Sequence, residues 1–309
     1  MATRFELVLH GQDAVRLHAA GEEAIGEIED LDRQLSRFRS ESDISWINAR
    51  AASEPVKVEP RLFDLLLRAK KLWKATEGAF DVTIAPLMRA WGLVDGTGRI
   101  PASAELEEAR SLVGMNHVHP NEDDFTVRFD RPGVELDLGA IGKGYAIERA
   151  VESLRENGVT SGLIHGGTST VYGLGSQPDG REWLIAVESG ERRAETEDSV
   201  RAGSPIRPAK VIPASLMPRA VALRNSSLSV SAVHGKSFER EGREYGHVID
   251  PRTGEPVSHT LLAAVVGESA TDTDALSTAL LVLGETWLQT LGKEFPGCEG
   301  FVVGRQEAP

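Results

Sequence analysis

The sequence predicts an α+β fold made of mixed, largely antiparallel β-sheets flanked by helices. Segments with alternating apolar residues and segments with apolar residues every three or four positions both occur along the chain. They do not follow the strict strand–helix–strand order of a parallel α/β fold. With 309 residues, 40% hydrophobic and 26% charged, the composition is that of a soluble globular protein. We predict a single domain over residues 1–309, with a surface insertion near 189–212 that is rich in charge, Gly and Pro.

The first half of the chain is predicted to contain strands near both ends and helices between them. Alternation marks a strand at 4–10 and further strands within 117–137. Helical spacing marks a long helix that ends near Phe38, with later helices at 62–73 and 147–154. Ser40–Asp43 resembles a helix cap before a short helix through Asn48, and the glycines at 78 and 158 mark helix ends.

The second half is predicted to be mostly β-structure. Residues 250–254 form a predicted turn, and residues 273–283 form a predicted helix. The strands that we predict lie at 162–165, 170–174, 183–187, 220–224, 227–233, 261–266 and 300–303.

Charge and composition limit the partners. The net charge of −13, from 34 basic and 47 acidic residues, argues against a nucleic-acid ligand, which needs a basic face. The single cysteine, Cys298, excludes an internal disulfide. No apolar run reaches the length of about 18 residues that a transmembrane helix requires, so we predict no transmembrane segment.

Gly142-Lys143-Gly144 is the first segment that suggests chemistry. It lies where a predicted strand turns into a helix, and free amides and the positive helix end attract phosphate at such a place. A lysine adds a point charge. The alternative is a tight strand-to-helix junction without a ligand, because the segment matches no complete phosphate-binding motif.

Asp274 and Thr278 are the second candidate. Their i, i+4 spacing places both side chains on the same helix face, and a carboxylate with a hydroxyl suits a hard cation such as Mg²⁺. The alternative makes Thr271 and Asp274 a capping box and bonds the Thr278 hydroxyl to its own helix.

The third candidate is the segment from His247 to Gly254. An imidazole at position 247 could remove the proton of an attacking hydroxyl. The alternative is a β-turn at Asp-Pro-Arg-Thr-Gly with His247 as a strand residue.

Taken together, these segments resemble one family over nearly the whole chain, the FAD:protein FMN transferases of the ApbE type, formerly called thiamine biosynthesis lipoproteins. Matching pieces occur in the family's order. They are Met1–Phe5, Leu35–Phe38 with Ser42–Asn48, Gly78–Thr83, Leu136–Ala146, Gly166-Gly167, His247–Gly254 with Pro256, and Asp274–Thr278.

The resemblance implies an FAD cleft between lobes and a set of site residues. It implies that Mg²⁺ is held by the carbonyl of Ala140 and the side chains of Asp274 and Thr278. His247 is the candidate general base, and Asp274 is the second candidate catalytic residue. The positions implied to contact FAD are Met1, Phe38, Ala79, Phe80, Asp81, Asp137, Lys143 and Val248.

The implied activity is Mg²⁺-dependent transfer of the FMN half of FAD to a Thr or Ser hydroxyl of an acceptor protein, through a phosphoester bond, with release of AMP. FAD is therefore a substrate, and the acceptor protein is the partner. Two alternatives remain open. The same site could hydrolyse FAD to FMN and AMP as a pyrophosphatase, or the protein could bind FAD without catalysis.

Three departures from the family pattern affect these expectations. Val233–Phe238 stands where a Ser-Gly-Asp-Tyr-like run is common, and Thr271 stands where a further acidic metal ligand is sometimes found. The family's lipoprotein signal is absent from the N-terminus. We therefore expect a cytoplasmic protein, or a periplasmic or membrane-anchored one if a signal precedes this chain.

Overall fold

A computed structural model describes residues 3–187, 220–233, 237–240 and 243–305. The predicted insertion at 189–212 lies outside these residues. The chain divides into two compact units. Unit 1 comprises Met1, Glu29–Gly142 and Gly235–Ser258, and unit 2 comprises Ala2–Ile28, Lys143–His234 and His259–Pro309. The single domain over 1–309 stays a prediction.

The described residues form helices and strands that alternate irregularly along the chain. The helices are α1 (Ala14–Leu35), α2 (Asp43–Arg50), α3 (Pro60–Ala75), α4 (Ala85–Ala90), α5 (Ser103–Ser111), α6 (Gly142–Glu156), α7 (Ala270–Leu283) and α8 (Leu288–Glu294). The strands are β1 (Phe5–Leu9), β2 (Val56–Lys57), β3 (Val118–Asn121), β4 (Thr126–Phe129), β5 (Gly162–Gly166), β6 (Thr170–Leu174), β7 (Trp183–Ala186), β8 (Ala220–Leu223), β9 (Ser226–Ala232), β10 (Ser237–Arg240), β11 (Arg243–Gly246), β12 (Thr260–Gly267) and β13 (Glu299–Gly304).

Unit 2 is organised around a six-stranded sheet with the order β1-β5-β6-β9-β12-β13. Helix α7 packs against β9 and β12. Side chains alternate between the two faces of a strand. The residues of β9 that do not face α7, such as Leu228, therefore belong to an apolar cluster on the opposite face of the sheet. Trp183 and Leu223 of the β7–β8 hairpin complete this cluster. The central strands are thus covered on both faces.

Unit 1 contains the three-stranded sheet β2-β4-β3 and helices α2 to α5. Helix α3 begins with Pro60 in its first turn and buries an apolar face that includes Phe63 and Leu66. Trp91 is buried in a separate cluster, where its ring lies near Phe238 and Tyr245 of the β10–β11 hairpin. Because Trp91 and this hairpin are distant in sequence, their contact holds the unit together.

The fold class predicted from the sequence is confirmed. Every strand pairing among the described residues is antiparallel, and helices accompany the sheets. Most predicted elements lie within a few residues of their observed bounds, but α4, α5, α8, β2 and the β10–β11 hairpin were not predicted.

One predicted strand is wrong. The last strand predicted within 117–137 is absent, since residues 134–137 pair with no strand. Instead, the amide of Leu136 donates to Asn48 Oδ1 at 2.7 Å, and Asn48 Nδ2 donates back to the Leu136 carbonyl at 3.0 Å. A side chain therefore satisfies the backbone groups that a neighbouring strand would otherwise satisfy.

None of the described helices combines the length and apolar character needed to cross a membrane.

Candidate functional site

Asp274 lies near the start of α7, and its buried carboxylate is held by two other elements of unit 2. The amide of Gly144, in the first turn of α6, donates to Oδ2 at 2.9 Å. The hydroxyl of Thr170, on β6, donates to Oδ1 at 3.2 Å. Lys143 Nζ lies 3.5 Å from Oδ1 and supplies a positive charge. The N-terminus of α6 thus binds an anion, and in this structure the anion is a side chain of the protein.

The close approach of α6 to α7 depends on Gly144. A Cβ at this position would lie 2.7 Å from the carbonyl carbon of Ala270 and 2.7 Å from Asp274 Cβ, and still closer to the Ala270 oxygen. A second contact fixes the same helix pair. The carboxylate of Glu148 accepts hydrogen bonds from Ser269 Oγ at 2.6 Å and from the Thr271 amide at 3.1 Å. These contacts place the start of α6 against the first turns of α7.

The capping-box alternative for Thr271 and Asp274 is wrong. The N-cap of α7 is Ser269, whose hydroxyl accepts from the Asp272 amide at 3.0 Å. The helix begins three residues before the predicted start, so Asp274 lies inside the helix and its carboxylate is not needed for a cap. The hydroxyl of Thr278 is 3.4 Å from the Asp274 carbonyl and 3.2 Å from Ser231 Oγ. The hydroxyl therefore bonds to its own helix, which confirms that part of the alternative, and it also contacts β9.

A row of buried hydroxyl groups between β9 and α7 was not predicted from the sequence. Ser227 and Ser229, on the face of β9 that meets α7, are both fully buried. Their hydroxyls lie 2.7 Å and 3.0 Å from Thr273 Oγ1 on the helix. Serines at alternate strand positions usually indicate a solvent-facing side. The hydroxyl groups at i and i+4 on the helix, at Thr273 and Ser277, were the sequence feature that could have indicated that these serines are buried against it.

The oxygen atoms that Asp274 could offer as ligands suit a hard divalent cation. The carboxylate oxygens accept one neutral hydrogen bond each, so lone pairs remain on both. No group of three or more His, Cys, Asp or Glu side chains with metal-site geometry occurs among the described residues. A cation here would rely on one carboxylate with hydroxyl, carbonyl, water or phosphate oxygens, which is the environment that Mg²⁺ tolerates well.

In unit 1, Asp81 is buried and its carboxylate is used inside the protein. Oδ1 accepts from the Thr83 amide at 2.7 Å and from Thr83 Oγ1 at 2.5 Å. The Trp73 side chain and the Met115 amide also donate to the carboxylate, but burial dominates and raises the pKa of Asp81 to about 6. Ala79 and Phe80 are buried as well. The Asp81 carboxylate therefore holds the conformation of the 78–83 segment through hydrogen bonds that it accepts inside the protein.

Asp137 connects two of the predicted FAD-binding segments of unit 1. Its amide donates to the Val82 carbonyl at 2.6 Å, next to Asp81 in sequence. Its carboxylate accepts from Arg37 Nη1 at 2.9 Å and from the Gly139 amide at 2.8 Å. The Arg37 and Asp137 side chains are only 10% and 13% exposed, so the ion pair is largely shielded from water.

Phe38 differs from these residues because its ring is 75% exposed. The Arg37 guanidinium lies 5.0 Å from the ring centroid, within range of a cation–π contact. An exposed, partly oriented aromatic ring is able to stack on a flat ligand such as a flavin or an adenine.

His247 directly follows β11 and is half-buried. The turn predicted after it is confirmed, since the Gly254 amide donates to the Asp250 carbonyl at 2.8 Å and Gly254 has a φ of 79°. Trp91 Nε1 donates to the Gly254 carbonyl at 2.8 Å and anchors the turn. Val248 accepts from the Val257 amide at 2.9 Å. The role of His247 as a base stays a prediction.

The predicted site residues are distributed over both units. Asp274, Thr278 and Lys143 belong to unit 2, and the Lys143–Asp274 ion pair brings two of them together. Met1 lies outside the described residues, as do positions 234–236 of the Val233–Phe238 departure. The predicted residues of unit 1 are Phe38, Ala79, Phe80, Asp81, Asp137, Ala140, His247 and Val248.

The architecture is that of the flavin transferases. The structure superimposes on Pseudomonas stutzeri flavinyl transferase ApbE, apo form, with a TM-score of 0.78 and 27% identity, covering 99% of this chain and 92% of that one. The ApbE protein of Thermotoga maritima has the same fold, with a TM-score of 0.79 at 22% identity over 97% of this chain and 94% of that one.

The ApbE family model matches residues 1–302, and this chain belongs to the ApbE family. The FAD:protein FMN transferase of Treponema pallidum is 31% identical over 304 residues, which cover 94% of this chain and 78% of that protein. The FAD:protein FMN transferase of Vibrio cholerae is 28% identical over 264 residues, which cover 84% of this chain and 71% of that protein.

Proposed function

We propose that this protein is a Mg²⁺-dependent FAD:protein FMN transferase. It splits FAD at the pyrophosphate and moves FMN onto a Thr or Ser hydroxyl of an acceptor protein. The names of its relatives and the seven colinear segments support the proposal. The structural observation that carries it is the buried Asp274 carboxylate, which faces Lys143 at 3.5 Å and keeps lone pairs for a cation.

Each group has a distinct task in the reaction. The acceptor hydroxyl oxygen forms a bond to the FMN phosphorus, the bond from that phosphorus to the bridging oxygen breaks, and AMP leaves with that oxygen. His247 accepts the hydroxyl proton. Lys143 pairs with phosphate oxygens, and the exposed Phe38 ring stacks on an aromatic part of FAD. Asp274 and Thr278 would hold Mg²⁺, which would supply neutralisation of the pyrophosphate charge.

A product assay tests the proposal. The protein is incubated with FAD, Mg²⁺ and a threonine-containing peptide, beside the same peptide with valine in place of threonine, and the products are analysed by mass spectrometry. We expect an FMN adduct on the threonine peptide only, with an equal amount of AMP. Release of FMN and AMP without an adduct would identify a pyrophosphatase, and FAD binding without products would identify a binding protein.

Asp274→Asn is the most informative variant for this assay, because it keeps the side-chain shape and an acceptor for the Gly144 amide but removes the charge. We expect transfer to fall about 100-fold or more, the usual effect of removing a positioned electrostatic group. FAD binding should weaken only moderately. Asp272→Asn on the same helix is the matched control and should keep the parental rate. An Asp274→Asn protein with full activity at low Mg²⁺ would remove Asp274 from the site.

A further inference from the structure

A chain of buried hydroxyl groups ends on the Asp274 carboxylate. Thr170 Oγ1 is 3.2 Å from Asp274 Oδ1, Ser229 Oγ is 3.4 Å from Thr170 Oγ1, and Thr273 Oγ1 is 3.0 Å from Ser229 Oγ. Ser227 Oγ follows at 2.7 Å from Thr273 Oγ1. All five side chains are less than 5% exposed, so protein groups, not bulk water, satisfy them.

The carboxylate fixes the direction of this hydrogen-bond chain. An ionised carboxylate only accepts, so the single proton of Thr170 points to Asp274. Thr170 then accepts from Ser229 at 3.4 Å, and these two bonds point the same way, so each strengthens the other. Thr273 Oγ1 donates to the Ala270 carbonyl at 3.2 Å and lies 3.0 Å from Ser229 Oγ, so it contacts the row without fixing its direction.

Packing a strand against a helix through buried hydroxyl groups is energetically less favourable than packing them through apolar side chains. Each buried hydroxyl costs free energy unless it is bonded, and Ala or Val would fill the same space without that requirement. The same strand also reaches the second proposed metal ligand, since Ser231 Oγ lies 3.2 Å from Thr278 Oγ1. The polar residues of β9 therefore lie along the side chains that we assign to the cation.

We propose that Thr170 is a positioning residue that holds Asp274 in its metal-binding orientation, supported from behind by Ser229 and Thr273. This inference rests on the proposed function, because it assumes that Asp274 binds Mg²⁺. The groups that orient a ligand from behind typically change metal affinity 10–100-fold when they are removed. Thr170→Val keeps the shape of the side chain and removes only its hydroxyl.

The test measures Mg²⁺ binding and activity separately. The first readout is the Mg²⁺ concentration that gives half of the thermal stabilisation by Mg²⁺ alone, without FAD. The second is the Mg²⁺ concentration that gives half-maximal transfer. For Thr170→Val we expect both midpoints to rise about tenfold or more. Transfer at saturating Mg²⁺ should stay closer to the parental rate. Thr170→Ser keeps the hydroxyl and should restore the parental midpoints.

Thr260→Val is the matched control. Thr260 is as buried as Thr170 and lies in the same sheet of unit 2. It is five residues along β12 from Val265, the residue that pairs with Ser229, a separation of about 17 Å. We expect its Mg²⁺ midpoints to equal those of the parent. This control separates the loss of a hydroxyl next to Asp274 from the general effect of a Thr→Val change in the sheet.

The outcomes distinguish this inference from the proposed function. If the parent responds to Mg²⁺ but Thr170→Val keeps the parental midpoints, the positioning role is wrong and the proposed function stands. A parent without any Mg²⁺ response would overturn both. If Thr170→Val does not fold, Ser229→Ala is measured instead, since it breaks the row one link further from Asp274. A raised midpoint would then support the inference, and an unchanged midpoint would contradict it.

Discussion

Replacing Gly144 with alanine should separate α6 from α7. The added Cβ would lie 2.7 Å from Asp274 Cβ and still closer to the backbone oxygen of Ala270, well inside van der Waals contact. Backbone atoms cannot rotate away as a flexible side chain can, so the helices must shift. Overpacking of this kind costs about 1–3 kcal/mol. Weakening the hydrogen bond from the Gly144 amide to the carboxylate adds about 1.5–3 kcal/mol. Removing a helical glycine returns about 0.5–1 kcal/mol.

The net expectation for Gly144→Ala is a loss of about 3 kcal/mol in the free energy of unfolding. Gly142→Ala is the control, because among the described residues its Cβ would meet only Leu35 Cδ1 at 3.8 Å, an ordinary contact. That variant should be neutral or slightly more stable. Urea unfolding followed by tryptophan fluorescence measures both variants. If the two alanine variants unfold at the same urea concentration, the close packing of α6 on α7 at Gly144 does not exist.

Three further predictions concern unit 1. Burial raises the pKa of Asp81 to about 6, above its unfolded value near 3.8, so its contribution to stability is full at low pH and is lost as the pH rises through about 6. Chemical denaturation measures the unfolding free energies of Asp81→Asn and of the parent at each pH. The value for the variant minus that for the parent should rise by about 2 kcal/mol between pH 4 and pH 7, and a constant difference would contradict the raised pKa of Asp81. Arg37→Met should cost about 3 kcal/mol by leaving Asp137 without its counter-charge, and adding Asp137→Leu should recover most of the loss, unless the pair is solvated. His247→Ala should slow FMN transfer about 10²–10⁴-fold with FAD affinity nearly unchanged, and a parental rate from pH 5 to pH 8 would remove it from the mechanism.

Local sequence patterns predicted most helices and strands. Most of the errors in that prediction occur where contacts between segments distant in sequence determine the local structure. The periodicity of α3 and α7 is strong because one face of each helix is buried, and the bounds followed to within three residues. By contrast, the alternation up to Asp137 predicted a strand, because a sequence pattern cannot show that Asn48 would satisfy the Leu136 backbone. Short helices such as α4 carry too few turns for periodicity to appear.

The candidate site shows the same limit. The spacing of Asp274 and Thr278 predicted a shared helix face, and both residues do lie on α7. Spacing could not decide between a cap and a ligand, because the decision depends on Ser269, which holds the N-cap. The polar face of β9 was missed for a related reason. A strand with serines at alternate positions looks solvent-exposed until the hydroxyls of the facing helix are known.

The way Asp274 is held has a consequence for how the protein could bind a pyrophosphate. The amide at the start of α6 and the Lys143 ammonium, the two features that predicted a phosphate site, both face the Asp274 carboxylate. A phosphate that approached them alone would meet this negative charge a few ångströms away in a largely dry environment, where like charges repel strongly. A divalent cation on Asp274 would reverse the sign of the local charge and would leave Lys143 available to the substrate. Under the proposed function, phosphate binding would therefore be linked to cation binding, and we expect FAD and Mg²⁺ each to bind more tightly when the other is present.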